Sequence, residues 1–201
     1  PFAPYDQSAR RELHRIRLLH LIIEGHVFAC TCSRKDIQSA ISAPHGADEE
    51  PVYAGTCRPR CVARDTRAAA RLEPEAWGLP AGTRFSLRMR VPDGGAVRFD
   101  DGCFGPQSFE CGRDFGDFVL WRHDDVPAYQ LAVVADDLAM GITEVVRGAD
   151  LLVSTARQLL LYEAFGRRPP AWYHCPLVVD ETGQRLAKRH AALSLRELRA
   201  Q

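Results

Sequence analysis

The chain has 201 residues, 26 basic and 26 acidic, for a formal net charge of zero, which allows one domain, or a domain with a small insertion, and a core large enough to fold. The balance leaves no global positive field to attract polyanions, so a nucleic-acid partner has to be met by a local arginine patch. No apolar run is long enough to span a bilayer and residues 1–10 do not read as a signal peptide, which predicts a cytoplasmic protein with no membrane partner.

In chain order, Tyr5 to Glu24 predicts one amphipathic helix with Leu13, Ile16, Leu19, Ile22 and Ile23 turned inward and Gly25 ending it. Glu24-Gly25-His26 then closes a helix and enters a strand, which makes His26 structural or exposed. Val27-Phe28-Ala29 is strand-like and leads into Cys30-Thr31-Cys32. On an extended chain the period of two sets both thiols on one face, within reach of a single ion. A polar, turn-rich stretch at 42–51 follows, then Tyr53 and Cys57, with Cys61 behind them. A metal at its base would steady such an insertion, because zinc ligation supplies folding free energy directly. Seven cysteines, an odd number, fit thiols and metal ligands better than a disulfide framework. Cys103, Cys111 and Cys175 have no metal-like partner and take no role.

Farther on, the β-branched runs 131–134 and 142–146 are predicted as strands. The near-continuous apolar run Leu131 to Ala135 suits a strand buried on both faces. Ser154-Thr155 starts a helix with Leu159, Tyr162 and Phe165 at helical spacing, and Gly166 with Pro169-Pro170 stops it. Strand, crossover, strand, helix is the grammar of a doubly wound α/β sheet, whose ligands sit beyond the carboxyl ends of the strands. Asp136, Asp137, Arg147 and Asp150 are expected at such ends. The last motif is Arg185-Leu186-Ala187-Lys188-Arg189, after a turn at 180–183. Lys188 is one of only two lysines in an arginine-rich chain. A compact ammonium suits a phosphate that moves during a reaction, whereas a plain basic turn is simply solvated.

Three of these stretches, 128–150, the helix start Ser154 to Gln158 and the 185–189 loop, resemble the catalytic domain of class I glutamyl-type tRNA synthetases. The resemblance covers nearly the whole chain and is loosest between about Val62 and Phe115. The loop is similar to the KMSKS element of that class, whose lysine neutralises ATP phosphates as the aminoacyl-adenylate forms. Thr143 to Leu152 lacks the histidine of the "THVIRGEDH" form usual in discriminating glutamyl-tRNA synthetases. It is closer to the glutamyl-Q tRNA(Asp) synthetases, truncated paralogues that attach glutamate to queuosine in the anticodon of tRNA(Asp).

The resemblance implies an α/β fold of the class I synthetase type, a doubly wound Rossmann-like parallel sheet with a small zinc-binding insertion. Its parts are a helix and strand at 1–29, the zinc-binding insertion at 30–61 and the remainder of the catalytic domain at 62–201. It further implies glutamate and ATP with Mg2+ as substrates, tRNA(Asp) carrying queuosine as acceptor, and a monomer. Carried over residue by residue, Tyr129 and Arg147 bind glutamate, Lys188 is the catalytic and ATP-binding cation, and Cys30, Cys32, Tyr53 and Cys57 hold zinc. A hydroxyl donor and a bidentate carboxylate partner suit the first task. Tyrosine is an uncommon ligand, since its phenol must lose a proton, and the loop between Cys32 and Tyr53 is longer than usual in the family. Cys61 and His45 therefore stay open for the fourth position. No Ser/His or Cys/His nucleophile is evident, in keeping with in-line attack by the substrate's own carboxylate. In the family a strand, a His-x-Gly-His signature, an arginine and a glutamate precede the helix at 5–24, so these 201 residues alone are expected to activate almost no glutamate. Two other readings stay open: the catalytic-domain fragment of a discriminating glutamyl-tRNA synthetase, and a non-catalytic zinc-bearing tRNA-binding module.

Overall fold

Asp6 starts the first element: its carboxylate accepts from the Ser8 N–H at 2.9 Å and opens a 3-10 turn, Gln7–Arg10, that runs into helix α1, Arg11–Ile23. The computed structural model describes residues 3–39, 52–58, 63, 65, 68–69, 72–179 and 199. The inner face of α1 is His14, Leu18, Leu21 and Ile22, a spacing of four, three and one that keeps them on one stripe. This corrects the predicted face. Ile16 and Ile23 are 58% and 59% exposed, and Leu13 and Leu19 are half-buried. An apolar-only pattern cannot see that a histidine occupies the seam. Gly25 reverses the chain at φ 77°, and the His26 N–H returns to the Leu21 carbonyl at 2.9 Å.

Half-buried His26 enters strand β1, Val27–Cys30, which pairs antiparallel with β2, Ser86–Met89, and β2 pairs with β5, Val119–Trp121. A short helix α2, Arg34–Ser39, follows β1. The second sheet runs in the order β4-β3-β7-β6. Strands β3, Ala96–Asp101, and β4, Gly105–Glu110, form an antiparallel hairpin. Strands β6, Glu144–Gly148, and β7, Ala171–Cys175, are parallel, with Arg147 opposite His174. Helix α4, Leu152–Ala164, crosses between them and completes a βαβ unit. The sheet as a whole is mixed, because the hairpin joins the parallel pair through Asp101 beside Trp172.

Residues 131–134 are not a strand. Helix α3, Tyr129–Met140, carries them, with Gln130, Leu131, Ala132, Val134, Ala135 and Asp136 buried. A short apolar run reads alike in a buried strand and a buried helix. Twelve residues without Gly or Pro, rich in Ala and Leu and closed by Gly141 at φ 66°, decide for the helix. Each fully buried Leu or Val here contributes about 1.5–3 kcal/mol. Polar pairs fix the register: Gln130 donates to Ser154 Oγ at 3.1 Å and Gln158 donates to Gln130 Oε1 at 2.9 Å, tying α3 to α4.

Asp136 and Asp137 therefore stand inside a helix and not at a strand end. Asp136 is a structural hub between α1 and α3. It accepts from Arg10 Nε at 2.7 Å, Gln7 Nε2 at 2.9 Å and His14 Nε2 at 2.9 Å. Burial works to raise its pKa, and the donors from His14, Gln7 and Arg10 bring it below the usual carboxylate value.

Candidate metal centre and active site

Four candidate ligands converge where β1 ends. Cys30 closes the strand, Cys32 lies two residues beyond, and the 52–58 segment brings Tyr53 and Cys57 alongside. The Tyr53 oxygen is 3.4 Å from Cys30 Sγ and 3.7 Å from Cys32 Sγ, and Cys32 Sγ is 3.7 Å from Cys57 Sγ. All three sulfurs lie within 4.8 Å of one another. A tetrahedral ion with bonds of about 2.3 Å to sulfur and about 2.0 Å to oxygen has edges of roughly 3.8 Å between sulfurs and roughly 3.5 Å between sulfur and oxygen. The observed separations fit that figure. The Cys57 N–H also donates to the phenol oxygen at 2.9 Å, which casts Tyr53 as an acceptor. Cys61 and His45 lie outside the described residues.

The surroundings keep this cluster in place. Tyr53 stacks on Phe28, ring centroids 6.2 Å apart, and takes the Arg88 guanidinium at 4.3 Å from its own centroid. Arg58, next to Cys57, grips Asp117 with Nε and Nη2, each at 2.6 Å, and also donates to the Val91 carbonyl and to Asp93. Burial pushes the Cys32 thiol up to about 12, and the Cys30 and Cys57 sulfurs add to it against the Tyr53 hydrogen bond. For Cys57 burial is outweighed by hydrogen bonds from Tyr53, Thr31 and Cys32, which bring it down to about 7. Tyr53 is raised, first by burial and then by its sulfur neighbours. A metal ion held by Cys30, Cys32, Tyr53 and Cys57 would favour their deprotonated forms and so relieve this conflict.

The second cluster is built on the parallel pair. Arg147, one residue before the end of β6, donates from Nε to His174 Nε2 at 3.1 Å and from Nη2 to Thr155 Oγ1 at 2.7 Å, with the Leu151 carbonyl at 3.4 Å. Its guanidinium lies 4.8 Å over the Trp172 ring. At Gly148, the next residue, a Cβ would stand 2.5 Å from Asp150 Oδ1 and 3.3 Å from Leu177 Cδ2. Tyr129, the first residue of α3 and 49% exposed, is close enough to the guanidinium to favour its charged form. Burial depresses the Arg147 pKa, and Tyr129, Asp137 and Asp150 oppose that. Among the described residues no carboxylate pairs with Arg147 directly. Behind it, His174 Nδ1 meets Asp101 Oδ2 at 2.6 Å, both side chains being fully buried. Burial works to raise Asp101, but the hydrogen bonds from His174 and from the Phe104, Cys103 and His174 N–H groups take it down to about 2.

The structure thus brings Tyr129 and Arg147 together, and it brings Cys30, Cys32, Tyr53 and Cys57 together. Lys188 and the 185–189 loop lie outside the described residues. Sequence reasoning missed Asp101, His174 and Trp172. Burial alternates along β7, with Trp172 and His174 turned inward, but the residue types of 171–175 do not alternate, and nothing in the sequence links position 101 to position 174.

The whole-chain comparison is decisive: residues 1–200 match the model for tRNA synthetases class I (E and Q), catalytic domain. The chain belongs to this family. The glutamyl-Q tRNA(Asp) synthetases of Nitratidesulfovibrio vulgaris and Symbiobacterium thermophilum are each 48% identical, over 99% and 100% of this chain and 58% of their own lengths. The glutamate–tRNA ligase of Heliobacterium modesticaldum is 38% identical over 97% of this chain and 37% of its own. The chain therefore spans little more than half of the first two relatives. In structure it is similar to the glutamate-tRNA synthetase of Elizabethkingia anophelis, with a TM-score of 0.71 at 27% identity over 94% of this chain and 38% of that one. The class I synthetase fold expected from the sequence is thus the fold of the chain. Among the described residues no helix is long and apolar enough to cross a membrane.

Proposed function

We propose that this synthetase domain activates glutamate with ATP and serves its transfer to queuosine in the anticodon of tRNA(Asp). The observation that carries the reading is Arg147. A largely buried guanidinium is held by neutral acceptors, with a phenol at its mouth and no carboxylate partner among the described residues. Such a charge is a receptor for an anion of the size of an amino-acid carboxylate. The 48% identity to two glutamyl-Q tRNA(Asp) synthetases, and Glu144 in place of a histidine, favour that paralogue over a glutamyl-tRNA synthetase.

In this reading Tyr129 and Arg147 hold glutamate while an oxygen of its α-carboxylate attacks the α-phosphorus of ATP. The bond to the bridging oxygen breaks, and pyrophosphate leaves as the glutamyl-adenylate forms. Lys188, with Mg2+, steadies the charge that develops on the leaving pyrophosphate. A hydroxyl of queuosine then attacks the acyl carbon, loses its proton, and AMP departs. Cys30, Cys32, Tyr53 and Cys57 hold zinc, which suits three soft sulfurs in a tetrahedral site. The ion's part is structural: it ties the 30–61 insertion between the 1–29 and 62–201 parts of a cytoplasmic monomer. The test is glutamate-dependent exchange of pyrophosphate into ATP, followed by transfer of labelled glutamate to tRNA(Asp) with and without queuosine. Charging of tRNA(Glu) instead would identify a glutamyl-tRNA synthetase.

A further inference from the structure

We infer that Asp101 and His174 are positioning residues that fix, through one imidazole tautomer, the direction in which Arg147 presents its guanidinium. The inference rests on the reading of Arg147 as the group that holds the substrate carboxylate.

The geometry leaves little freedom. A guanidinium N–H is a donor only, so the 3.1 Å contact between Arg147 Nε and His174 Nε2 requires Nε2 to accept. The ring proton then sits on Nδ1, where Asp101 Oδ2 receives it at 2.6 Å. Asp101 cannot turn away, because its other oxygen accepts from the N–H groups of Phe104 at 3.0 Å, Cys103 at 3.1 Å and His174 at 3.3 Å. The hydrogen bond at one ring nitrogen sets what the other nitrogen offers. Thr155 Oγ1, 3.2 Å from His174 Nε2, takes Nη2 of the same arginine at 2.7 Å. Trp172 lies under the guanidinium face at 4.8 Å. Nε is committed to His174 and Nη2 to Thr155 and, at 3.4 Å, to the Leu151 carbonyl, so the N–H groups of Nη1 are left for substrate.

Asp101→Asn is the incisive variant. Its carbonyl oxygen can keep the three main-chain donors, but its amide nitrogen donates where Oδ2 accepted. That forces the proton of His174 onto Nε2, where it faces the Arg147 N–H. The two histidine variants separate the contacts: His174→Gln places an acceptor near Nε2 and gives up Asp101, whereas His174→Asn keeps a donor for Asp101 and gives up Arg147.

The experiment combines nitrogen-15 NMR of the His174 ring with pyrophosphate exchange by the enzyme expressed from its complete reading frame. The wild-type protein is expected to carry the proton on Nδ1, and Asp101→Asn on Nε2. Asp101→Asn and His174→Asn are each expected to raise the KM for glutamate roughly tenfold to a hundredfold, the range for losing one hydrogen bond to a charged group. The KM for ATP should stay near wild type, and His174→Gln should retain more glutamate affinity than His174→Asn. A purely structural role would move both KM values together. A wild-type ring protonated on Nε2 would overturn the inference whether or not the variants fold. So would an unchanged glutamate KM in Asp101→Asn when Arg147→Ala raises it. If Arg147→Ala itself leaves the glutamate KM unchanged, the reading of Arg147 fails and the inference with it.

Discussion

His174 Nε2 stands 3.1 Å from Arg147 Nε, and the two residues are direct partners in the parallel register of β6 and β7. Neighbours in parallel register project to the same face, so the sheet itself delivers the histidine to the arginine. A neutral acceptor there offsets part of the cost of burying the guanidinium without cancelling its charge. A carboxylate in the same place would satisfy the arginine and close the site to an anion.

Arg147→Ala is expected to raise the glutamate requirement sharply while ATP binding stays near wild type. Losing one partner of a buried carboxylate pair costs ~3–5 kcal/mol, on the order of a hundredfold or more in affinity. Arg147→Lys should recover little, because a lysine ammonium cannot reach His174, Thr155 and a carboxylate from one planar fork. Pyrophosphate exchange at graded glutamate concentrations checks this. Unchanged glutamate dependence in Arg147→Ala would make the arginine structural.

The metal centre predicts about one zinc per chain, lost or weakened in Cys30→Ser, Cys32→Ser and Cys57→Ser. Tyr53→Phe should weaken it less, because water can fill a vacated oxygen position. Chelation should lower the melting temperature of the wild type and leave the cysteine variants little changed. Elemental analysis of the purified protein settles the stoichiometry. If Cys61→Ser or His45→Ala removes the metal while Tyr53→Phe keeps it fully, the fourth ligand has been misassigned.

How much of this was legible beforehand depended on whether the signal was local. Cys30-Thr31-Cys32 at a strand end and Tyr53 four residues before Cys57 were readable, and the structure brings all four side chains together. Arg147 was found through its motif, and its strand through β-branched residues. The 131–134 strand was misread because burial on all sides erases the periodicity that separates strand from helix. The inner face of α1 was misread because His14 takes a core position through Asp136, a partner 122 residues away. Asp101 escaped for the same reason. Its meaning lies in His174, 73 positions on, and only the fold brings them together.

Lys188 is expected to act on charge that develops during adenylate formation. Lys188→Ala should therefore slow activation while leaving glutamate binding alone. Lys188→Arg should rescue poorly, since a planar fork does not follow moving phosphates as a point charge does. Single-turnover formation of adenylate separates the two effects. A Lys188→Ala enzyme with normal activation and weakened glutamate binding would contradict the assignment.

Asp137 predicts a pH dependence of stability with a definite sign. Its carboxyl is raised to about 6, first by burial and then by Asp136, against the opposing pull of Arg147. Its Oδ2 and the hydroxyl of Tyr162 are both buried without a hydrogen-bond partner among the described residues. Below the unfolded value, 3.8, the group is protonated in both states and costs nothing. As pH rises from there to about 6, the unfolded chain releases the proton while the folded chain retains it, so stability falls and then levels off. Asp137→Asn removes that loss. The variant should match the wild type at about pH 4 and exceed it by about 1 kcal/mol at about pH 8, after allowance for solvent screening at a half-buried site. Urea unfolding at the two pH values measures the difference, and groups common to both proteins cancel. A variant less stable than the wild type at the higher pH would mean that the ionised carboxylate stabilises the native state, and that its attraction to Arg147 outweighs burial.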